Sequence, residues 1–176
     1  MNYVILLRGI NVGGHRKVNM AELKKQLSEV AFEKVKTYIN SGNLLLSSKL
    51  SHEETLELLA ATFKKHYDFN LLFVALTFEE FQAEYQSLPE WWFDEGSYRR
   101  NVLFYMPSFK PEDLLFEGDL HERIYLSKVA IYWLVKDATY FTRSQYQKLA
   151  RSPVYQRVTI RNANTFKKLY ELTLEF

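Results

Sequence analysis

The stretch "VKTYINSGNLLLSS", residues 35–48, sets two strand-forming runs on either side of "NSGN". Val35 to Ile39 reads as a strand, Asn40 to Asn43 as a tight turn, and Leu44 to Ser48 as the returning strand. Gly and Asn suit the turn because both tolerate left-handed backbone. Helical patterns flank this hairpin. Upstream, Asn19 can cap a helix with Glu22 three residues on, and Met20, Leu23, Leu27 and Val30 recur at helical spacing. Downstream, Ser51 and Glu54 form a capping box, followed by Leu56, Leu59, Phe63 and Tyr67 on one face. Tyr3 to Arg8 and Leu71 to Leu76 complete the set as buried strands. The order is β-α-β-β-α-β, the split arrangement of ferredoxin-like folds.

The second half repeats the order less clearly. Val102 to Met106 is strand-like, and Pro111 to Phe116 can form a short helix with Pro at a permitted position. Ile124 to Ser127 and Ala130 to Val135 read as a hairpin, Thr142 to Ala150 as a helix, and Val158 to Arg161 as a last strand. Asn164 can then cap a final helix through Phe166, Leu169 and Tyr170. The expected fold is therefore α+β: two ferredoxin-like lobes with antiparallel sheets, residues 1–77 and 101–176, the second ending in a helix. Residues 78–100 join them. Thr77 and Glu80 open that connector with a third capping box, and Trp91, Trp92 and Phe93 are expected to pack between the lobes rather than to anchor a partner.

The chain has 176 residues, 47% apolar and 25% charged, an ordinary globular composition. It contains no cysteine, which excludes disulfides, thiolate metal sites and Cys nucleophiles. "YVILL", closed by Arg8, is too short for a signal-peptide core, and no apolar run approaches a membrane span. The expectation is a soluble cytoplasmic protein with no membrane partner. Net charge is +2 but uneven: residues 78–122 hold eleven acids against three bases, and residues 136–168 hold eight bases against Asp137. Without a continuous basic run, this reads as two segments facing each other, within one chain or across a homo-oligomer, rather than a polyanion-binding face.

"LLRGINVGGHRKVNM", Leu6 to Met20, runs from strand through a Gly-rich loop into a helix start. Gly9 and Gly14 have the spacing of a P-loop, but His15 and Arg16 stand where Lys and Ser or Thr should follow. Magnesium-dependent nucleotide hydrolysis by that route is rejected. A simpler anion site survives, with Gly13 and Gly14 opening backbone N–H groups and Arg8, His15, Arg16 and Lys17 adding donors. The alternative is a tight strand-to-helix connection whose glycines only satisfy positive φ. In β-α-β-β-α-β topology this loop and the turn Ser41-Gly42-Asn43 share one end of the sheet. "RNANT", Arg161 to Thr165, is a third polar strand-to-helix junction, and Asn162 or Asn164 there can equally be a cap.

"LLRGINVGGHRKVNM", "TYINSGNLLL" and "RNANTFKKL" resemble the signatures of a bacterial family known as domain of unknown function 1697. The resemblance spans essentially the whole chain and implies two ferredoxin-like lobes. It brings no established activity, cofactor or catalytic residue. Position by position it covers Arg8, Gly9, Asn11, Gly13, Gly14, Ser41, Gly42, Asn43, Arg161, Asn162, Thr165 and Lys168. Ala163 departs from it, standing where the family carries a bulkier, often aromatic residue.

Three function classes compete. No catalytic constellation emerges: His15, His52, His66 and His121 lack metal-ligand spacing, and a Ser41–His15 pair has no orienting carboxylate. RNA-recognition folds share this topology, but "NLLLSSKL" lacks their aromatic motif, which leaves only non-specific backbone binding by the basic C-terminal third. A scaffold or oligomer would need no ligand at all. The reading adopted is a site for a small phosphorylated or anionic ligand, with no cofactor and no metal. It comprises Arg8, Asn11, Gly13, Gly14, Lys17, Ser41, Gly42 and Asn43, joined by Arg161, Asn162, Thr165 and Lys168 if the C-terminal junction folds against the first lobe. Asn11 and Asn43 are expected to orient the ligand.

Overall fold

The computed structural model describes residues 1–110, 120–137 and 139–176. They divide into two compact units, Met1–Ala83 with Glu171–Phe176, and Glu84–Tyr170.

In the first unit the elements follow as β1 (Asn2–Leu7), α1 (Met20–Ser28), β2 (Phe32–Tyr38), β3 (Asn43–Ser48), α2 (His52–His66) and β4 (Phe73–Thr77). They form one antiparallel sheet in the order β2-β3-β1-β4. Tyr3 to Leu7 are all buried, and a strand apolar on both faces belongs in the middle of a sheet. Alternate residues Tyr3, Ile5 and Leu7 share a core with Leu44 and Leu46 of β3, Leu23 and Leu27 of α1, and Leu59 and Phe63 of α2. The helices start where their caps stand. Asn19 accepts from the N–H groups of Ala21 and Glu22, and Ser51 and Glu54 exchange reciprocal bonds. Thr77 and Glu80 do the same at the start of α3 (Phe78–Gln86). Phe176 meets the Phe78 ring edge-on at 5.1 Å, with the Lys36 ammonium 5.1 Å from its centre.

The second unit holds β5 (Tyr98–Tyr105), β6 (Glu122–Leu126), β7 (Ala130–Lys136), α4 (Gln145–Ala150) and β8 (Val158–Asn162), and α5 (Ala163–Leu174) begins there. Its sheet, again antiparallel, has the order β6-β7-β5-β8. Leu103, Ile131, Trp133 and Val135 pack on one face with Leu149 and Val158. On the other, Phe104 and Tyr132 meet the Phe166 ring at 5.7 and 5.8 Å, and Trp92 meets Tyr132 edge-on at 5.6 Å. Phe93, beside it, is exposed. The buried Tyr132 hydroxyl donates to Glu84 Oε2 at 2.7 Å. The buried Glu122 carboxylate accepts from the backbone N–H groups of Gln145 and Tyr146, so a charge serves the orphan donors that open α4.

Several boundaries differ from the sequence expectation. β5 begins at Tyr98, not Val102, because its ladder with β7 already runs from Tyr98↔Lys136. The helix expected over 142–150 is broken: a 3₁₀ turn at Phe141–Arg143 precedes Ser144, which caps α4. α5 starts at Ala163, with Asn162 rather than Asn164 as its cap, since the Asn162 Oδ1 accepts from the Thr165 N–H at 2.8 Å. The helix expected over Pro111 to Phe116 lies outside the described residues. In the hairpin turn the left-handed residues are Ile39 and Gly42, with φ of 49° and 82°, while Asn43 is already in β3.

Burial pushes the phenols of Tyr105 and Tyr146 up to about 12, and that of Tyr132 higher still. An unfolded tyrosine ionises near pH 10. Because the folded values are raised, the stability these groups contribute is complete below about pH 10 and is lost as pH climbs toward 12. An alkaline titration followed by tyrosinate absorbance and far-UV circular dichroism is expected to show these three ionising only as the second unit unfolds. Their ionisation with the fold intact would contradict the burial argument.

Candidate functional site

Between β1 and α1 the chain makes a loop with no carboxylate from Arg8 to Met20. Its root is tied to both neighbours. The Arg8 N–H donates to the Leu72 carbonyl and the Leu7 N–H to the Gly42 carbonyl, each at 2.8 Å. Gly42 lies so close to β1 that a Cβ there would stand 2.6 Å from Leu7 Cβ and 2.8 Å from Ile10 Cδ1. Only glycine fits, for space as well as for its φ of 82°. Sequence topology placed this turn beside the glycine loop, and the two are in contact.

Asn11 fixes the rest of the loop. Its Oδ1 accepts from the Val18 N–H at 2.8 Å, and its Nδ2 donates to the carbonyls of Val18 at 3.0 Å and Asn40 at 2.8 Å. One carboxamide thus pins the loop's far end to its start and to the β2–β3 turn. Its φ of 56° is one that Asn accepts better than most residues. Between these anchors, Val12 and His15 form a small bridge closed by Gly13 and Gly14 at φ of 60° and 80°. A Cβ on either glycine would meet nothing within 4 Å, so dihedral angle rather than crowding demands glycine here. The N–H groups of Gly13 and Gly14 find no hydrogen-bond acceptor among the described residues. Around them His15, Arg16 and Lys17 are exposed, and the Arg16 guanidinium lies over Gly9. Arg8 is half-buried.

Two exposed aliphatics border the loop, Val12 at 68% and Ile39 at 49% of full exposure. Ile39 is β-branched yet holds φ of 49°, a strained conformation kept by the hairpin around it. Ser41 is exposed, whereas Asn43 is fully buried and donates from Nδ2 to the Tyr38 carbonyl and to Ser41 Oγ, each at 3.0 Å. Asn11 and Asn43 therefore both hydrogen-bond within the chain, Asn11 from an exposed position and Asn43 from a buried one.

Arg161, Asn162, Thr165 and Lys168 belong to the second unit. Arg161 is buried, donates from Nη1 to Thr159 Oγ1 at 3.0 Å and to the Ile160 carbonyl at 2.8 Å, and burial draws its pKa down to about 10. It remains charged at neutral pH. Thr165 is buried, and Lys168 is half-buried. Asn162 and Asn164 instead line a cavity of about 460 Å³ with Arg99, Arg100, Phe141 and Tyr146. Sequence reasoning missed that cavity because it assigned Arg99 and Arg100 to the connector. The available signal was that "YRRNVLFY" has no Gly or Pro to break the strand before Val102. Among the described residues no three His, Asp or Glu side chains gather as metal ligands, and no helix is long and apolar enough to cross a membrane.

Fold and site together define an α+β protein of two four-stranded antiparallel sheets, with a glycine loop and hairpin turn clasped at one end of the first. Residues 1–132 match the family described as protein of unknown function (DUF1697), and the chain belongs to that family. It is also similar to the solved structure of the conserved bacterial protein SP0830 from Streptococcus pneumoniae. The two are 37% identical over 98% of each chain, with a TM-score of 0.88. No curated protein matches the chain.

Proposed function

We propose that the protein binds a small phosphorylated or otherwise anionic ligand at the glycine loop of its first unit. We further infer that both units are ferredoxin-like lobes, since each sheet places its strands in the order second-third-first-fourth.

The observation that carries the ligand reading is the pair of unpartnered N–H groups at Gly13 and Gly14. At the tip of the two-residue turn that closes the Val12–His15 bridge, both N–H groups are left for an approaching anion. Lys17 and Arg16 supply charge beside it, and Arg8 adds charge at the loop's root. Asn11, Gly42 and Asn43 act as its frame, holding the loop against the turn, while Ser41 presents a hydroxyl at the edge. A frame fixed before the ligand arrives saves the entropy of ordering it. Arg161, Asn162, Thr165 and Lys168 are not needed for this reading, which rests on the first unit alone.

The test is a thermal-shift series at low salt with sugar phosphates, nucleotides, inorganic phosphate and short single-stranded RNA. One small-anion class is expected to stabilise the protein. Lys17→Ala, at an exposed position, is expected to weaken that ligand about tenfold, the value of one charge-assisted hydrogen bond. Stabilisation by every polyanion alike, salt-sensitive and indifferent to Lys17→Ala, would instead favour non-specific binding by the basic C-terminal third. No response to any small anion would leave a protein-interaction role as the better reading.

A further inference from the structure

β8 pairs with β5 only from Asn101↔Asn162 onward and then turns into α5. β5 itself starts three residues earlier, so Tyr98, Arg99 and Arg100 run on with β7 at one side and, among the described residues, no strand at the other. The space left beside them is the cavity of about 460 Å³. That volume lies within the roughly 300–1,000 Å³ range of small-molecule sites and far exceeds what a lone inorganic anion requires.

The chemistry of its walls is one-sided. Arg99 and Arg100 line it, and among the described residues no carboxylate does. Arg99 lies 4.1 Å over the Phe141 ring, and Arg100 lies 5.0 Å over Tyr98. Stacking of this kind holds a guanidinium flat and lowers the entropy lost on binding. The Arg100 Nε is buried without a hydrogen-bond partner, while its Nη2 donates to the Asp94 carbonyl. Asn164, exposed in the first turn of α5, adds an amide at the rim, and the helix start reinforces the positive potential.

The geometry points to a second ligand site here, distinct from the glycine loop, for an anion that carries a planar ring, of the size and kind of a nucleoside monophosphate. The phosphate meets Arg99 and the Asn164 amide at the rim, and the ring stacks on the Arg99–Phe141 pair beside Tyr146. Guanidinium planes and aromatic faces are the surfaces on which nucleobases stack.

The probes are adenosine monophosphate, uridine monophosphate, ribose 5-phosphate and inorganic phosphate, measured by calorimetry on the full chain. Both nucleotides are expected to bind about tenfold or more tighter than the two ringless anions, the scale of one base stacked on a protein side chain. Arg99→Ala is expected to weaken the nucleotides about tenfold, as loss of a charged hydrogen-bond donor would. Asn164→Ala, likewise exposed, serves as a second variant and is expected to weaken them less. The series is repeated in the Lys17→Ala chain, where the preference for nucleotides and its loss on Arg99→Ala are both expected to persist, which separates this site from the loop. Absence of nucleotide binding, equal affinity for ribose 5-phosphate, or affinity unaffected by both Arg99→Ala and Asn164→Ala would each overturn the proposal.

Discussion

Gly42→Ala is expected to destabilise the first unit more than any other single substitution in the loop and turn. The new methyl meets Leu7 Cβ at 2.6 Å and Ile10 Cδ1 at 2.8 Å. Ile10 can swing its terminal carbon aside, but Leu7 Cβ is rigidly attached to the central strand and cannot. Forcing a methyl into packed surroundings costs about 1–3 kcal/mol. Holding an alanine at positive φ adds about 1–2 kcal/mol. The combined loss of about 3 kcal/mol is to be read from the denaturation midpoint at constant slope. Gly13→Ala is the control. It shares the positive φ but faces open space, so it should lose only about 1 kcal/mol. Equal losses at the two positions would show that crowding against Leu7 is unimportant.

Asn11→Ala is the second large effect. It removes the acceptor of the Val18 N–H and the donor shared by the Val18 and Asn40 carbonyls. Val18 is buried, so its N–H is orphaned rather than returned to water, at about 1–3 kcal/mol. Alanine at φ of 56° contributes about 1 kcal/mol more. A loss of about 2–3 kcal/mol is expected. Asn11→Gly separates the two causes: it relieves the backbone but not the lost bonds, and should recover about 1 kcal/mol. In either variant the loop is no longer pinned to the turn at Asn40, so anion affinity should fall although residue 11 meets no ligand. Full stability in Asn11→Ala would remove the strut from the account.

Much of this architecture was legible in the sequence because local and non-local signals agree there. Tyr3 to Leu7 are apolar on both faces and become the central strand, and the Ser51–Glu54 and Thr77–Glu80 pairs start their helices as spaced. The loop's neighbour was legible too, since β-α-β-β-α-β connectivity leaves those two turns at one sheet end. What escaped depends on contacts made across the fold. Nothing adjacent to Asn11 announces that its carboxamide will span to Asn40, twenty-nine residues on. Nothing near Ile39 predicts positive φ at a β-branched residue; the hairpin's closure imposes it. Tyr98 to Arg100 read as a polar linker because a strand paired on one side needs no apolar alternation. Their role as a cavity wall arises only because β8 stops short of them.

The central claim is that Gly13 and Gly14 present ready-made donors to an anion. Amide resonances of these two residues, followed by NMR while inorganic phosphate is titrated at low salt, test it most directly. The account predicts saturable shifts at Gly13 and Gly14, larger than at other exposed amides of the first unit and diminished in Lys17→Ala. Shifts that are absent, or that spread evenly over the exposed amides without saturating, would contradict it.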